Sequence, residues 1–225
     1  MTTSDEKVIS LEKKIKEIQE MQETIHYIVL SVMSKNTIKD VLWEITQNCI
    51  SRLGLLDCVI YLYSPEDETL RQFAALGDKK AEGSLEVVNP IALKLGQGIV
   101  GSVAMTGVAE IINDTSKDPR YITDVNSSLS EIAIPIKVGE KLIGVLDSEH
   151  PDKNFYQPKH LEMLSTIASL CAFSLASVLF AFDVYTKTES GTGKFYWFYV
   201  GFAFLVTLFR EIVKDIEDVE GDRKV

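Results

Sequence analysis

Residues 130–169 read SEIAIPIKVGEKLIGVLDSEHPDKNFYQPKHLEMLSTIAS and contain the clearest structural pattern in the chain. Two apolar runs, at 132–138 and 142–146, are separated by Gly139-Glu140, which is typical of a β-hairpin. Pro158 suits the first turn of a helix, which we expect to run from about 158 into the 170s. The stretch therefore predicts a hairpin followed by a helix.

The residues before this hairpin predict the rest of an antiparallel sheet. In chain order we expect a helix capped by Asn36 or Thr37, two strands, a short helix, a short strand and a polar loop, at 38–53, 58–63, 69–75, 96–107, 110–112 and 113–126. Residues 77–94 show no regular pattern. Because the strands come in runs and the helices lie at the ends, this order predicts an α+β fold, an antiparallel sheet with flanking helices.

Charge and cysteine content argue against several classes of protein. The chain has 225 residues, 33 acidic and 23 basic side chains, a net charge of −10 and a pI near 4.9. This charge argues against general nucleic-acid binding, which needs cations to neutralise phosphates. The three cysteines are too few and too scattered for a disulfide framework, and they form no metal-ligand cluster with the three histidines. The first residues lack the apolar segment of a signal peptide, so we expect a cytoplasmic protein.

A heptad repeat occupies residues 7–30. Positions spaced alternately by three and four residues form a seam that is apolar except at one glutamine: Val8, Leu11, Ile15, Ile18, Gln22, Ile25 and Val29. Such a narrow seam is typical of a coiled coil. Two interpretations stay open, a homodimer formed through residues 7–30 or a single amphipathic helix that packs on its own domain. We treat residues 1–33 as an N-terminal signalling and dimerisation helix.

Residues 38–176 resemble a GAF domain, a small-molecule-sensing fold related to PAS domains. Three stretches carry the resemblance: LGQGIVGSVAMTG at 95–107, EIINDTSKDPRY at 110–121, and the hairpin and helix at 130–169. The resemblance implies a GAF/PAS-like antiparallel sheet over residues 34–176 and a module that binds a small ligand, forms dimers, or both, in bacterial signal transduction.

Three departures from known GAF proteins narrow this expectation. Cyclic-nucleotide-binding members carry an Asn-Lys pair where this chain has Asp147-Ser148, and Asp-Glu where it has Lys159-His160. The free-methionine-sulfoxide reductases use cysteines clustered in the pocket loops, whereas no cysteine lies within 76–130 here. A Cys-His pair suited to a bilin chromophore is also missing. We therefore expect a non-catalytic sensor. No motif in this part of the sequence indicates a particular cofactor.

A ligand of such a fold would lie over one face of the sheet, beneath the loops of 77–130. The polar candidates for binding it are Asp114, Arg120, Tyr121, Asp124, Glu131 and Glu149. Each has a structural alternative: Asp114 caps its own turn, Arg120 pairs with Asp118 at the surface, and Glu149, with Asp147, is a solvated carboxylate at the end of a strand.

Two uncharged runs occur in the C-terminal part of the chain. The first, 164–182, extends into the start of the tail (residues 177–225), and the second, 195–209, lies within the tail. We interpret the first, through about residue 176, as a buried helix of the domain. The second, extended to 213, has an aromatic start and nearly the length of a bilayer-spanning helix, so we predict a membrane helix there. The tail would then anchor a cytoplasmic GAF domain to a membrane.

Acidic residues near the C-terminus share one face of a predicted helix: Glu211, Asp215, Asp218 and Asp222. Gathered carboxylates repel each other unless a cation such as Mg²⁺ lies among them, and a solvated acidic helix end is the alternative. The run KDIEDVEGDRK at 214–224 resembles the second aspartate-rich motif of UbiA-type membrane prenyltransferases, which implies Mg²⁺ at the three aspartates. The resemblance covers only about 178–225 and lacks the family's first motif. The alternative function is thus a fragment of a Mg-dependent prenyltransferase, inactive alone.

Overall fold

The computed structural model of the chain describes residues 7–9, 11–16, 19, 22–23, 26–27, 31, 37–50, 54–81, 83–124 and 126–188. The chain divides into two compact units, Met1–Ala176 and Ser177–Val225. The strands lie within the first unit, and the last helix runs past its boundary to Thr188.

A six-stranded, fully antiparallel sheet forms the centre of this first unit, with the spatial order β3-β2-β1-β6-β5-β4. The strands are β1 Cys58–Ser64, β2 Thr69–Leu76, β3 Ala92–Lys94, β4 Glu110–Ile112, β5 Ser130–Val138 and β6 Lys141–His150. The helices are α1 Ile38–Glu44, α2 Gly98–Thr106 and α3 Pro158–Thr188, with a π-helical turn at Ile45–Ile50 and a 3₁₀ turn at Thr115–Lys117. The α+β prediction is confirmed.

The two faces of the sheet form two apolar cores, because successive side chains of a strand point to opposite faces. One core joins the central strands to α1 and α3 and includes Trp43, Ile60, Ile132, Leu146 and Leu164. The other joins the same strands to α2 and includes Val59, Ile99, Val103, Ala133 and Val145. We refer to these sides as the α1/α3 face and the α2 face.

Three elements differ from the sequence prediction. The expected continuous helix over 38–53 is an α-helix only to Glu44 and then a π-helical turn. Strand β3 lies within the segment 77–94, for which the sequence predicts no element. Strand β6 runs to His150, four residues beyond the expected end at 146, because Ser130 and Glu131 of β5 pair with His150 and Glu149. The Asp-Ser-Glu-His run has little strand propensity of its own, so the neighbouring strand supplies the signal.

The predicted N-terminal seam is described in part. All described residues from 7 to 31 are helical, and the seam side chains of Val8, Leu11 and Ile15 expose 50%, 51% and 55% of their surface. Three other seam positions, Ile18, Ile25 and Val29, lie outside the described residues. The coiled coil therefore stays a prediction.

The run at 164–182 lies within α3, and Leu164, Ile167, Cys171 and Leu175 are buried in the core of the α1/α3 face. This burial agrees with the interpretation of residues up to 176 as part of the domain. Within the described residues, no helix combines the length and the apolar character needed to cross a bilayer. The membrane helix predicted at 195–213 and the aspartates predicted to hold Mg²⁺, Asp215, Asp218 and Asp222, lie outside the described residues.

Gly144 allows β6 to lie close against β1. A Cβ atom at this position would lie 2.0 Å from the carbonyl oxygen of Tyr61, so Gly144→Ala must displace one of the two central strands. We expect it to lower the free energy of unfolding by at least about 3 kcal/mol in chemical denaturation. Gly139→Ala is the matched control: it has open space around it and φ of +59°, so it should cost only about 1–2 kcal/mol. Equal losses for the two variants would contradict this account.

Candidate functional site

The pairing of β5 with β6 gathers acidic side chains on the α2 face. Glu131 lies directly opposite Glu149, and Asp147 lies opposite Ala133, which shares the face of Glu131. These three side chains line a cavity of about 20 Å³, room for about one water molecule. The remaining lining comes from β1, from the segment before α2, from α2 itself and from the following loop: Tyr61, Ile91, Leu93, Gly98, Ile99, Val100, Ile122 and Asp124.

Glu131 and Asp147 form a buried carboxyl pair. Each exposes only 4% of its surface, and both line the cavity. Burial, followed by the charge of Glu149, raises the pKa of Glu131 to about 8. Burial, followed by the charge of Glu131, raises the pKa of Asp147 well above its usual range. The Oδ1 atom of Asp147 is buried without a hydrogen-bond partner.

Two further carboxyl groups lie against this pair. Burial, followed by the charge of Glu149, raises the pKa of Asp57 to about 7. Burial also raises the pKa of Glu149, although the hydroxyl of Tyr121 donates a hydrogen bond of 2.9 Å to its Oε2. The backbone N–H of Ser128 donates to the same hydroxyl at 2.8 Å, which positions Tyr121 for this contact. Asp57, Glu131, Asp147 and Glu149 thus all have pKa values above the ordinary range of their side chains.

A buried lysine approaches the cluster from the segment after β2. The ammonium group of Lys79 forms an ion pair with Asp124 and donates to Oε1 of Gln72 at 3.3 Å. Gln72 in turn donates through Nε2 to Oδ2 of Asp124, at 2.7 Å, and to the hydroxyl of Tyr61, at 2.9 Å. None of the described residues lining the cavity is a lysine or arginine, so the cavity itself is acidic.

The structure separates the six predicted ligand-binding residues into two groups. Asp124, Glu131 and Glu149 line the cavity, and Tyr121 contacts Glu149. Arg120 instead forms ion pairs with Glu110 and Asp118, at 2.7 and 2.8 Å.

Asp114 also lies outside the cavity lining. It accepts hydrogen bonds from Ser116 and Lys153, which lower its pKa. Arg120 pairs with Asp118, as its structural alternative describes, and also with Glu110, whereas Asp114 begins the 3₁₀ turn without a side-chain cap hydrogen bond. Asp147 is buried and Glu149 half-buried, and both have raised pKa values, which does not fit freely solvated carboxylates.

Sequence reasoning missed Asp57, Lys79 and Asp147 as members of the site. Asp147 follows the period of two set by Val145 and Glu149, so a longer β6 would have placed it on the α2 face. Asp57 stands next to β1 and has no neighbouring motif. Lys79 lies in the segment without a regular pattern, where no signal in the sequence indicates burial of a lysine.

Cysteine and metal chemistry have little support at this cavity. Cys58 and Cys171 are fully buried in the core of the α1/α3 face and do not line the cavity. Burial raises the pKa of the Cys58 thiol well above its ordinary value, which disfavours the reactive thiolate. In the part of the chain that the structure describes, no group of three or more His, Cys, Asp or Glu side chains has the geometry to hold a metal ion.

Comparison with known proteins identifies the family. The model of the GAF domain matches residues 35–176, well over half of the chain, so the chain belongs to the GAF domain family.

Three curated relatives match parts of the chain. Protein YtsP of Bacillus subtilis is 33% identical over 86 residues, which are 38% of this chain and 53% of that protein. The Nif-specific regulatory protein of Azotobacter vinelandii is 28% identical over 133 residues, 56% of this chain and 25% of that protein. Digeranylgeranylglyceryl phosphate synthase of Methanosphaera stadtmanae is 46% identical over 59 residues, 26% of this chain and 20% of that protein. The chain thus spans about half of the first relative and a quarter or less of the other two.

Solved structures share the fold. The GAF domain of an Acinetobacter phosphoenolpyruvate-protein phosphotransferase has a TM-score of 0.62 at 19% identity, over 72% of this chain and 97% of that chain. A free methionine-R-sulfoxide reductase from Neisseria meningitidis, in complex with its substrate, has a TM-score of 0.64 at 18% identity, over 72% and 91%. At this level of identity, the similarity shows the fold alone.

The buried carboxyl pair predicts an unusual pH dependence of stability. In the unfolded chain Glu131 ionises near pH 4.5, whereas in the folded chain it keeps its proton up to about pH 8. The stabilising contribution is therefore complete below about pH 4.5 and is lost as the pH rises towards 8, by up to about 1.4 kcal/mol per pH unit. Glu131→Gln stays neutral, so its melting temperature should fall less between pH 5.5 and 8.5 than that of the unchanged protein.

Glu140→Gln provides the control for this measurement, because Glu140 is an exposed residue in the turn between β5 and β6. It should keep the pH dependence of the unchanged protein. Parallel pH profiles for the unchanged protein and Glu131→Gln would show that Glu131 is ionised in the folded state throughout.

Proposed function

We propose that the chain is a regulatory GAF module that binds a small cationic ligand over the acidic α2 face of its sheet. The observation that carries this proposal is Oδ1 of Asp147, which lies buried, without a hydrogen-bond partner, in a residue that lines the cavity. A buried carboxyl oxygen without a partner costs folding free energy. A ligand that donates a hydrogen bond to it recovers that free energy.

An ammonium group fits the chemistry of this site. It presents several N–H donors to the carboxyl groups of Glu131, Asp147 and Glu149, and its positive charge favours the charged forms that burial disfavours. Charge-assisted hydrogen bonds in a buried site are stronger than neutral ones. A ligand without an ammonium group or a similar cation would offer the acidic cluster no opposite charge.

The cavity must enlarge before such a ligand can enter. Its volume of about 20 Å³ accommodates one water molecule, and the loop at Ile122 packs tightly on the start of α2. A Cβ atom at Gly98 would lie 2.8 Å from Cδ1 of Ile122, which shows how little space separates loop and helix. Separation of Ile122 and Asp124 from α2 is the opening that this geometry favours.

Among the solved relatives, the Neisseria reductase is in complex with its substrate. Methionine-R-sulfoxide, which carries an ammonium group, is therefore a reasonable probe for this pocket. Because Cys58 and Cys171 do not line the cavity, we propose binding without turnover as the activity of the described residues.

A thermal-shift titration tests the ligand class. Methionine-R-sulfoxide and ethanolammonium chloride should each raise the melting temperature of the full chain, whereas N-acetyl-methionine sulfoxide, which lacks the ammonium group, should not. Asp147→Asn should weaken binding at least tenfold, because the amide removes one charge-assisted contact of the ammonium group. Asp114→Asn is the matched control, since Asp114 does not line the cavity. Binding that is equal in the two variants would contradict the proposed site.

The N-terminal helical residues supply a route to a second copy of the chain. The half-exposed seam at Val8, Leu11 and Ile15 would bury its apolar side chains in a parallel coiled coil. We therefore extend the proposal to a homodimer formed through residues 7–30.

Analytical ultracentrifugation of the full chain checks the dimer. Ile15→Lys should shift the equilibrium to monomer by placing a charge in the seam, while Lys14→Glu, outside the seam, should leave a dimer. A monomer in the unchanged protein at 100 μM, or a dimer that Ile15→Lys leaves intact, would sink this part of the proposal.

The prenyltransferase alternative has weaker support. It depends on the resemblance at 178–225 and on the 59-residue match to a digeranylgeranylglyceryl phosphate synthase, of which this chain spans 20%. Mg²⁺ binding at Asp215, Asp218 and Asp222, and anchoring through 195–213, stay predictions for residues outside the described part of the chain.

A further inference from the structure

The four residues from Gly77 to Lys80 form a turn that contacts several separate parts of the domain. Lys80 N–H donates to the carbonyl of Gly77 at 3.1 Å, which closes the turn. Gly77 has φ of +87°, and a Cβ atom there would lie 2.8 Å from the carbonyl oxygen of Leu56. The turn is therefore tightly seated beside the start of β1. We call residues 77–80 the connecting turn.

On one side the connecting turn contacts the loop over the acidic cavity. Lys79 is buried and forms its ion pair with Asp124, which lines the cavity. The preceding residue, Asp78, accepts a hydrogen bond of 2.6 Å from Nδ2 of Asn126. Two adjacent side chains of the turn thus hold Asp124 and Asn126, and Asp124 is one of the residues that must move to open the cavity.

On the other side the connecting turn contacts the π-helical turn that follows α1. The ammonium group of Lys80 donates a hydrogen bond of 2.6 Å to Oε1 of Gln47. Gln47 donates through Nε2 to the carbonyl of Ala75 at 2.7 Å, near the end of β2. Gln47 therefore joins the π-helical turn both to the sheet and to the connecting turn.

The π-helical turn continues directly from α1, and α1 contacts the N-terminal helical residues. The hydroxyl of Ser31 donates a hydrogen bond to the carboxylate of Glu44, the last residue of α1. Three polar contacts, joined by short stretches of backbone, thus link the cavity to Ser31: Asp124 to Lys79, Lys80 to Gln47, and Glu44 to Ser31.

We propose that the connecting turn relays occupancy of the acidic cavity to α1 and the N-terminal helix, with Lys79 sensing the cavity and Lys80 holding the π-helical turn. This inference rests on the proposed function, because it takes the ligand to be a cation. A bound cation repels the ammonium group of Lys79 and competes with it for Asp124. Release of Lys79 shifts the turn, and the contact between Lys80 and Gln47 is lost with it.

The relay needs two arrangements of one element, one with both lysines paired and one with both released. Adjacent residues of a short closed turn cannot move independently. The hydrogen bond from Lys80 N–H to the carbonyl of Gly77, and the close approach of Gly77 to the carbonyl of Leu56, hold them together. This is the physical reason to expect that loss of the Lys79 contact weakens the Lys80 contact, although the two side chains have different partners.

Substitutions in the full chain test the relay without a ligand. Asp124→Asn removes the charge that holds Lys79 but keeps an oxygen to accept the hydrogen bond from Gln72. We expect hydrogen–deuterium exchange of the backbone amides of residues 45–50 to become at least tenfold faster in this variant. Lys79→Gln breaks the same ion pair from the other side and should give the same result, which guards against a folding defect in either variant.

The Lys80→Met variant is the background in which the effect of Asp124→Asn is measured a second time. It removes the contact with Gln47, so exchange at residues 45–50 should already be fast, and adding Asp124→Asn should accelerate it no further. Asp114→Asn, which breaks an ion pair with Lys153 elsewhere, is the matched control and should leave residues 45–50 unchanged.

Two results would overturn the relay. In the first, Asp124→Asn and Lys79→Gln leave hydrogen–deuterium exchange at residues 45–50 unchanged. In the second, Asp124→Asn accelerates this exchange equally in the otherwise unchanged protein and in the Lys80→Met variant. Neither result bears on ligand binding, which the titration with Asp147→Asn measures separately. Conversely, if no ammonium compound binds but the exchange data behave as expected, the relay stands and the proposed ligand is wrong.

Discussion

The register between β5 and β6 is the constraint on which the rest of the structure depends. Nine residue pairs, from Ser130 with His150 to Val138 with Lys141, determine which side chains face α2 and which face α1 and α3. A shift of β5 by one residue against β6 would send Glu131 into the core of the α1/α3 face and bring isoleucines of β5 to the side of the cavity. Both apolar cores and the acidic cavity therefore follow from one hairpin, whose turn at Gly139 has the positive φ that such a connection favours.

The carboxyl groups at the cavity are unfavourable to stability and are held in place by the remainder of the fold. Burial of Asp57, Glu131, Asp147 and Glu149 raises the pKa of each, which is the same as saying that the folded state disfavours their charged forms. The surrounding strands lie in the middle of the sheet and are supported by an apolar core on the other face. Such local destabilisation within a stable scaffold is typical of sites that bind or react.

Much of the fold was accessible from the sequence, because its strongest signals are local. The hairpin follows from two apolar runs around Gly139-Glu140, and the order of elements follows from periodicity. The end of β6 and the position of β3 were missed, since pairing with a neighbouring strand determines both. Among the residues that line the cavity, Asp124, Glu131 and Glu149 were already candidates from the family resemblance. Lys79 was missed because only the tertiary structure places it against Asp124.

The raised pKa values of Glu131 and Asp147 have a consequence for the signal that such a module would report. If a cation binds the charged forms of these carboxyl groups, it competes with the protons that they would otherwise take up, and binding of one releases the other by thermodynamic linkage. The occupied fraction then depends on the ratio of ligand to hydrogen ions rather than on the ligand alone. In a cell whose internal pH changes, the same ligand concentration would occupy a smaller fraction of the sites at low pH and a larger fraction at high pH.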